Sequence, residues 1–378
     1  MSFYIDLTEL LSNPRKTGIE RISGEICRNL PPRTAIPIRI NADHYVTLPP
    51  TLIDIIGGYF RDDNGAGATE IRRLGAVEKG SALKLSPRDT VLIPEIFGDP
   101  RTAFFRSLSE QELQQHRFIV YDLLPVTHPE FFSPEMPLVM SGYFQILRRT
   151  NHCGFISEHT REVYYGRLRR TDAREGVVLP LGCDALGPRA ERPTLNRPLS
   201  FTVLGTIEPR KNHQLILEAF EALLRQIEGL SLSFIGKMGW VDSEFAQKVR
   251  TLAAEENSGF RFHSAPDDEA IRRHIEESRA TIYISSTEGY GLPPVESLWV
   301  GTPVIASATI PSLTRLGTAG IHYVDPLNVI NLRRAVLAFL DDGYANRKTE
   351  ETIHLNLPTW RSFTEEVLRW CSPHATTS

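Results

Sequence analysis

ATIYISSTEGYGLPPVESLWVGTPVIAS, residues 280–307, reads as strand, turn, helix, turn and strand. Its first seven residues, ATIYISS, form a short run rich in β-branched residues, as expected of a strand buried on both faces. Gly289 and Gly291 break the run, and Pro293 and Pro294 open a helix, where a missing N–H costs nothing. Gly301 ends that helix, and TPVIAS at 302–307 begins the next strand. The start of such a helix gathers unpaired N–H groups and the positive end of the helix dipole, which makes it a site for anions. Glu288 stands in the loop before it and Glu296 about one turn inside, so both are placed to reach a ligand resting on the loop.

The same rhythm runs outward in both directions. Short apolar runs recur at 3–7, 90–96, 117–124, 153–157, 176–182, 200–205 and 230–236. Segments with helical spacing lie at 18–30, 212–226, 243–256, 267–278 and 328–340. This alternation predicts an α/β architecture with parallel sheets. Residues 183–199, CDALGPRAERPTLNRPL, carry three prolines and no apolar period and read as a linker. The expected division is 1–182 plus a C-terminal helical piece at about 357–378, the linker 183–199, and a second domain at 200–356. In open parallel sheets ligands bind outside the carboxyl ends of the strands, so motifs just after strands are the ones to weigh.

TVLGTIEPRKNHQLILEAF at 202–220 is such a motif: a strand ends at Gly205, and Arg210 and Lys211 precede an amphipathic helix whose face includes Leu215, Leu217, Phe220 and Leu224. Arg offers a fork and Lys a point charge, a pairing suited to a diphosphate; the plain alternative is a solvated turn. Asp267-Asp268 in FHSAPDDEAI has the look of a metal-binding pair, yet a helical period follows, which favours capping. The net charge of −4 argues against nucleic acid as the main partner. Four scattered cysteines, Cys27, Cys153, Cys183 and Cys371, fit reduced thiols rather than a zinc site. There is no basic leader with a long apolar run, nor any stretch of 18 apolar residues, so a cytoplasmic location is expected, with attachment to the inner face of the membrane left open.

The spacing Glu288-x7-Glu296 within EGYGLPPVESLWVGTPVIAS, together with EPRKN at 208–212, resembles the retaining GT-B glycosyltransferases of family GT4. The resemblance implies two Rossmann-like domains with parallel sheets facing a central cleft. It implies that Glu288 touches the donor sugar, Glu296 the nucleotide ribose, and Arg210 and Lys211 the pyrophosphate. Gly205, Thr206, Gly289, Tyr290, Gly291 and Leu292 complete the donor pocket, with Ala265 and Pro266 under the base. Where the family commonly has Pro-Glu after the TPVIAS strand, this chain has Thr314 near that position. In the first half, Thr17-Gly18 resembles the family's phosphate-approaching loop, with Arg21 following; a bland helix start is the alternative. YDLLPVTHPE at 121–130 is similar to the family's HDLxPxxHPE, with Tyr121 in place of the leading His, which leaves Asp122 or Tyr121 to make its contact and His128 as a further candidate. Ser157 and Thr160 read as caps.

Arg148, Arg149, Arg161, Arg167, Arg169, Arg170 and Arg174, with Phe144, Tyr164 and Tyr165 among them, suggest either a lipid-facing basic patch or a solvated face. The family resemblance implies transfer of a hexose with retention, without cofactor or metal. The donor is GDP-mannose by first choice, before UDP-sugars, GDP-fucose and dTDP-sugars. The acceptor is a glycan, free or on a polyprenyl diphosphate, in surface polysaccharide synthesis. Two rivals stand beside it: an epimerase-like GT-B enzyme, marked by an isomerised nucleotide product, and a non-catalytic sugar-nucleotide scaffold, marked by binding without turnover.

Overall fold

The structure, a computed structural model, describes residues 2–16, 18–41, 43–61, 65–76, 82–169, 176–264 and 266–372. Thr17, Ala265, Arg170 and Arg174 lie outside them. The chain forms two compact units, Met1–Gly182 with Thr359–Ser378, and Cys183–Pro358.

The first unit holds an eight-stranded sheet among the described residues. Its strands are β1 (Phe3–Asp6), β2 (Ile36–Ile40), β3 (Tyr45–Thr47), β4 (Ala82–Leu83), β5 (Thr90–Ile93), β6 (His116–Val120), β7 (Cys153–Phe155) and β8 (Val177–Val178), in the order β4-β3-β2-β1-β5-β6-β7-β8. The expected parallel sheet is found from β2 to β8, but β3 and β4 add an antiparallel edge. Strands β5 and β6 are buried at every position, the pattern of a sheet covered on both faces. Phe105, Phe118, Phe155, Tyr143 and Tyr164 fill the core of this unit. The helix Trp360–Cys371 belongs here and buries Trp360, Phe363, Val367 and Cys371.

Among the described residues the second unit holds six parallel strands in the order β11-β10-β9-β12-β13-β14. They are β9 (Ser200–Leu204), β10 (Ser231–Ile235), β11 (Phe260–His263), β12 (Ala280–Tyr283), β13 (Val304–Ser307) and β14 (Ile321–Val324). The order reverses between β9 and β12, and a sheet of this kind binds ligands beyond the carboxyl ends at such a switch point. The helix His213–Gln226 buries Ile216, Leu217, Phe220 and Leu223, while Leu215 and Leu224 pack at its margins, so its inner face is turned slightly from the one expected.

The stretch expected as a linker has no helix or strand, but it is fastened to the second unit. Arg197 donates to Ser278 O (3.1 Å), Thr302 Oγ1 (2.5 Å) and Gly301 O (2.9 Å), and Arg189 to the carbonyls of Thr352, Ile353 and Leu355. The polar composition that suggested a loose connector instead supplies donors for carbonyls that end helices and loops. The chain passes between units at 182/183 and 358/359.

Candidate functional site

In the second unit the loops after β9 and β12 bring Arg210, Lys211 and Glu288 together. The chain leaves β9 through Gly205 at φ +124° and β10 through Gly236 at φ +145°. A Cβ on Gly236 would sit 2.2 Å from Gly205 O, so the two loops cross where only glycine fits. A Cβ on Gly205 would lie 2.9 Å from Lys211 Nζ, and its absence lets the lysine pass over the strand end. Asn212, at φ 56°, turns the chain into the helix His213–Gln226 and ties the two loops by donating Nδ2 to Ile284 O (2.8 Å) and Ser286 Oγ (2.9 Å).

Glu288 is the hub. Its Oε1 lies 2.5 Å from Arg210 Nη1 and 3.6 Å from Lys211 Nζ, and accepts from Tyr283 Oη at 2.6 Å. Among the described residues these partners all fall on Oε1, which leaves Oε2 for a ligand. Arg210 Nη2 pairs with Glu208 Oε1 at 2.6 Å, and Nη1 also donates to Thr287 O at 3.2 Å. Lys211 donates to Tyr283 Oη at 3.3 Å and lies over that ring at 5.0 Å. The side chains of Glu208, Glu288, Lys211 and Arg210 are only 5, 10, 11 and 16% exposed, so these charges face one another at reduced dielectric.

Burial pushes the Glu288 carboxyl up, but Lys211, Arg210 and the Tyr283 hydroxyl overcome it and hold it at about 2. For Glu208 burial prevails over Arg210 and Lys211, and its carboxyl is raised. Tyr283 is held well above the usual phenol range by burial and by the neighbouring Glu288 charge.

Around this hub the remaining loop residues take defined places. Gly291, at φ +91°, precedes the helix Leu292–Trp299, and a Cβ there would meet Ile310 Cγ2 at 2.6 Å. Tyr290 is buried and its carbonyl accepts from Ser312 N (2.9 Å). Leu292 is the first helical residue, with Gly289 two positions before Gly291, and Glu296 is buried one turn in. Thr206 is half-buried beside Gly239. Pro266 is half-buried, and Asp267 next to it caps its helix by accepting from Ala270 N (2.7 Å). Among the described residues no group of three or more His, Cys, Asp or Glu is disposed to hold a metal ion.

The first-half candidates belong to the other unit. Gly18 begins the helix Gly18–Asn29 at φ +63° and is exposed. Asp122 is half-buried and accepts from Leu124 N (3.0 Å). Tyr121, just after β6, is 3% exposed and its hydroxyl donates to Pro94 O, a main-chain partner just after β5. His128 pairs with Glu130 (3.1 Å) and stacks on Phe131. Ser157 and Thr160 act as a cap pair, with Thr160 N donating to Ser157 Oγ (3.0 Å). In the basic stretch Arg167 is exposed and Arg161 pairs with Glu158 (2.6 Å), while other arginines serve main-chain carbonyls. Arg148 donates to Leu168 O, Arg149 to the carbonyls of Phe105, Arg106 and Leu108, and Arg169 to Thr150 O, while Phe144, Tyr164 and Tyr165 lie in the core.

Sequence reasoning missed two features. Tyr283 reads as one more apolar strand residue. In the first unit Asp6 and Glu95 sit at the carboxyl ends of β1 and β5, where that sheet's order reverses, both paired with buried Arg101 (3.0 and 2.8 Å). The signal was available: each carboxylate follows an apolar run, in FYID and TVLIPE. All four cysteines are buried free thiols, and no helix among the described residues is long and apolar enough to cross a membrane.

Comparison with known proteins bears on the fold and the family. Residues 189–354 match the family described as Glycosyl transferases group 1. The chain is 30% identical over 393 aligned residues to a serotype-specific mannosyltransferase WbdA of Escherichia coli, covering 97% of this chain and 46% of that protein. A second WbdA is 25% identical, over 97% and 44%. The chain thus spans less than half the length of these relatives. Among solved structures, Anabaena Alr3699/HepE in complex with UDP superposes with a TM-score of 0.66 at 11% identity, over 99% of this chain and 100% of that one. WaaG, a glycosyltransferase involved in lipopolysaccharide biosynthesis, superposes with a TM-score of 0.62 at 12% identity over the whole of both chains. By sequence and fold, the chain is a two-domain α/β protein with the GT-B fold, whose residues 189–354 match the glycosyl transferases group 1 family and which resembles polysaccharide mannosyltransferases.

Proposed function

We propose that the chain is a retaining glycosyltransferase that moves a hexose from a nucleotide sugar to a glycan or lipid-linked glycan acceptor in surface polysaccharide synthesis, with GDP-mannose the first donor to test. The observation that carries this reading is the buried meeting of Arg210, Lys211 and Glu288 beyond the carboxyl ends of β9 and β12. The mannosyltransferase names of the WbdA relatives favour mannose, and the UDP in the HepE structure favours a nucleoside diphosphate leaving group.

In this reading Arg210 and Lys211 hold the diphosphate and stabilise the charge that gathers on it as the glycosidic bond breaks. They supply the positive charge that a metal supplies in other transferases. Glu288 presents Oε2 to the sugar hydroxyls while Oε1 keeps its cations, and Glu296 takes the ribose. A carboxylate held this firmly by Arg210, Lys211 and Tyr283 is a positioning group rather than a nucleophile. The departing diphosphate oxygen accepts the proton of the acceptor hydroxyl on the same face of the sugar, which gives retention without the two-carboxylate arrangement of hydrolases. Gly205, Thr206 and the loop Gly289–Leu292 line the approach, and Pro266 lies toward the base. Asp122, Tyr121 and His128 are assigned to the sugar or the acceptor, and Gly18 to the approach of the donor phosphates.

The test is a thermal-shift panel of GDP, UDP, dTDP and ADP with their sugars, because a ligand that binds the native state raises the melting temperature. One nucleotide series is expected to stand out. Lys211→Ala should then weaken donor binding, and Glu288→Ala should remove transfer while nucleotide affinity changes little. Transfer by both variants at the wild-type rate would sink the site.

A further inference from the structure

We propose that Glu208 is the internal counter-ion of the diphosphate site: it holds Arg210 while the site is empty and yields Arg210 to the donor's diphosphate. This rests on the assignment of Arg210 and Lys211 to the diphosphate.

The argument begins with charge. The site buries two cations, Arg210 and Lys211, against two carboxylates, Glu208 and Glu288, and so is neutral before any ligand arrives. Both terminal nitrogens of Arg210 are engaged, Nη2 by Glu208 at 2.6 Å and Nη1 by Glu288 at 2.5 Å. A diphosphate adds at least two negative charges to this neutral set, and excess charge in a partly desolvated site is costly. One carboxylate therefore has to release its cation.

The two carboxylates are not equivalent. Glu288 keeps Lys211 and the Tyr283 hydroxyl if Arg210 turns away. Among the described residues the carboxylate of Glu208 has Arg210 as its one close partner. Glu208 also lines a pocket of about 390 Å³ with Asn212, His213 and Asp242, which gives a released carboxylate room to turn. The main chain around it is anchored, since Ser286 N donates to Arg210 O (2.8 Å) and Asn212 holds Ile284 and Ser286. The exchange is thus one of side chains. A deterrent of this kind weakens binding of every diphosphate and keeps a buried arginine paired between turnovers.

The experiment is titration calorimetry with inorganic pyrophosphate, which carries the shared chemistry without requiring the base to be known. Glu208→Gln keeps the shape and removes the charge, and Glu208→Ala does so by truncation. Both are expected to bind pyrophosphate about tenfold more tightly than wild type, the size of a close charge-pair effect. In Glu208→Gln/Arg210→Ala that gain should vanish, because it acts through Arg210. A purely structural role for Glu208 gives no gain in affinity. Unchanged or weaker binding by both Glu208 variants, with wild type binding and Arg210→Ala not, overturns the counter-ion role alone. Absence of binding by wild type and all variants overturns it together with the diphosphate assignment.

Discussion

Because Glu288 is ionised down to about pH 2 in the folded chain, against 4.5 for a free glutamate, it ties stability to pH in a defined direction. Its contribution is fully present above about 4.5 and is lost as pH falls through 4.5 toward 2, where the unfolded chain takes up the proton first. Thermal melts of wild type should therefore decline through that window more steeply than those of Glu288→Gln, which lacks the titrating group; parallel acid limbs would show that the carboxylate is not held as described. Tyr283 makes the same point from the neutral side. Its hydroxyl donates to Glu288 and accepts from Lys211, so Tyr283→Phe strands a buried charge pair without opening a large cavity. A loss of about 1.5–3 kcal/mol in denaturant unfolding is expected, the usual cost of a hydrogen bond to a charged group. Arg210, Lys211 and Glu288 were legible in the sequence because each follows a strand in a loop, where charge needs a reason. Tyr283 was not: inside an apolar strand its ring satisfies the pattern and its hydroxyl leaves no mark. Tyr121 shows the converse, a polar-tipped residue in a motif position whose hydroxyl is held by Pro94 O.

At the scale of elements, long apolar strands and their glycine-marked ends declared themselves, and short or interrupted ones did not. β2 carries Pro37 and Arg39 within five residues, while β3 and β4 are three and two residues long. None is long enough or apolar enough to show a period, so the antiparallel edge of the first sheet was invisible. The crossing of the loops after β9 and β10 could be read only as two glycines. In the structure it is a close approach that positions Lys211: Gly236 stands against Gly205 O, and Gly239 against Ile207 O, where an isolated parallel bridge joins Ile207 and Met238. Gly236→Ala meets both a positive φ and a backbone atom that cannot yield, and should lower the stability of the second unit by about 3 kcal/mol. Chemical denaturation measures it, and a change under 1 kcal/mol would mean that the loops separate easily. Gly229, also at positive φ but with open space around a Cβ, is the matched control.

The whole molecule is assembled so that its first unit is completed by its last helix. Thr359 starts that helix with a capping box, its side chain accepting from Ser362 N (3.1 Å) while Ser362 Oγ accepts from Thr359 N (3.0 Å). Trp360, Phe363, Val367 and Cys371 recur at helical spacing and are each no more than 1% exposed. The fit is tight: a Cβ on Gly182 would fall 2.2 Å from Trp360 N, and one on Gly154 would meet Trp370 at 2.9 Å. A helical piece at about 357–378 was legible in the sequence, but nothing local could say which sheet it covers, because that depends on where the chain returns. Four such side chains stabilise by roughly 1.5–3 kcal/mol each, which approaches the entire margin of a typical domain. Ending the chain after Pro358 should therefore unfold the first unit and leave the second, whose strands and core lie wholly within Cys183–Pro358. Calorimetry of the shortened protein is expected to retain the transition of the second unit and lose the other, and limited proteolysis should leave a resistant fragment close to 183–358. If both transitions persist at their original temperatures, the returning helix is an ornament of the first unit and its buried tryptophan contributes little to the fold.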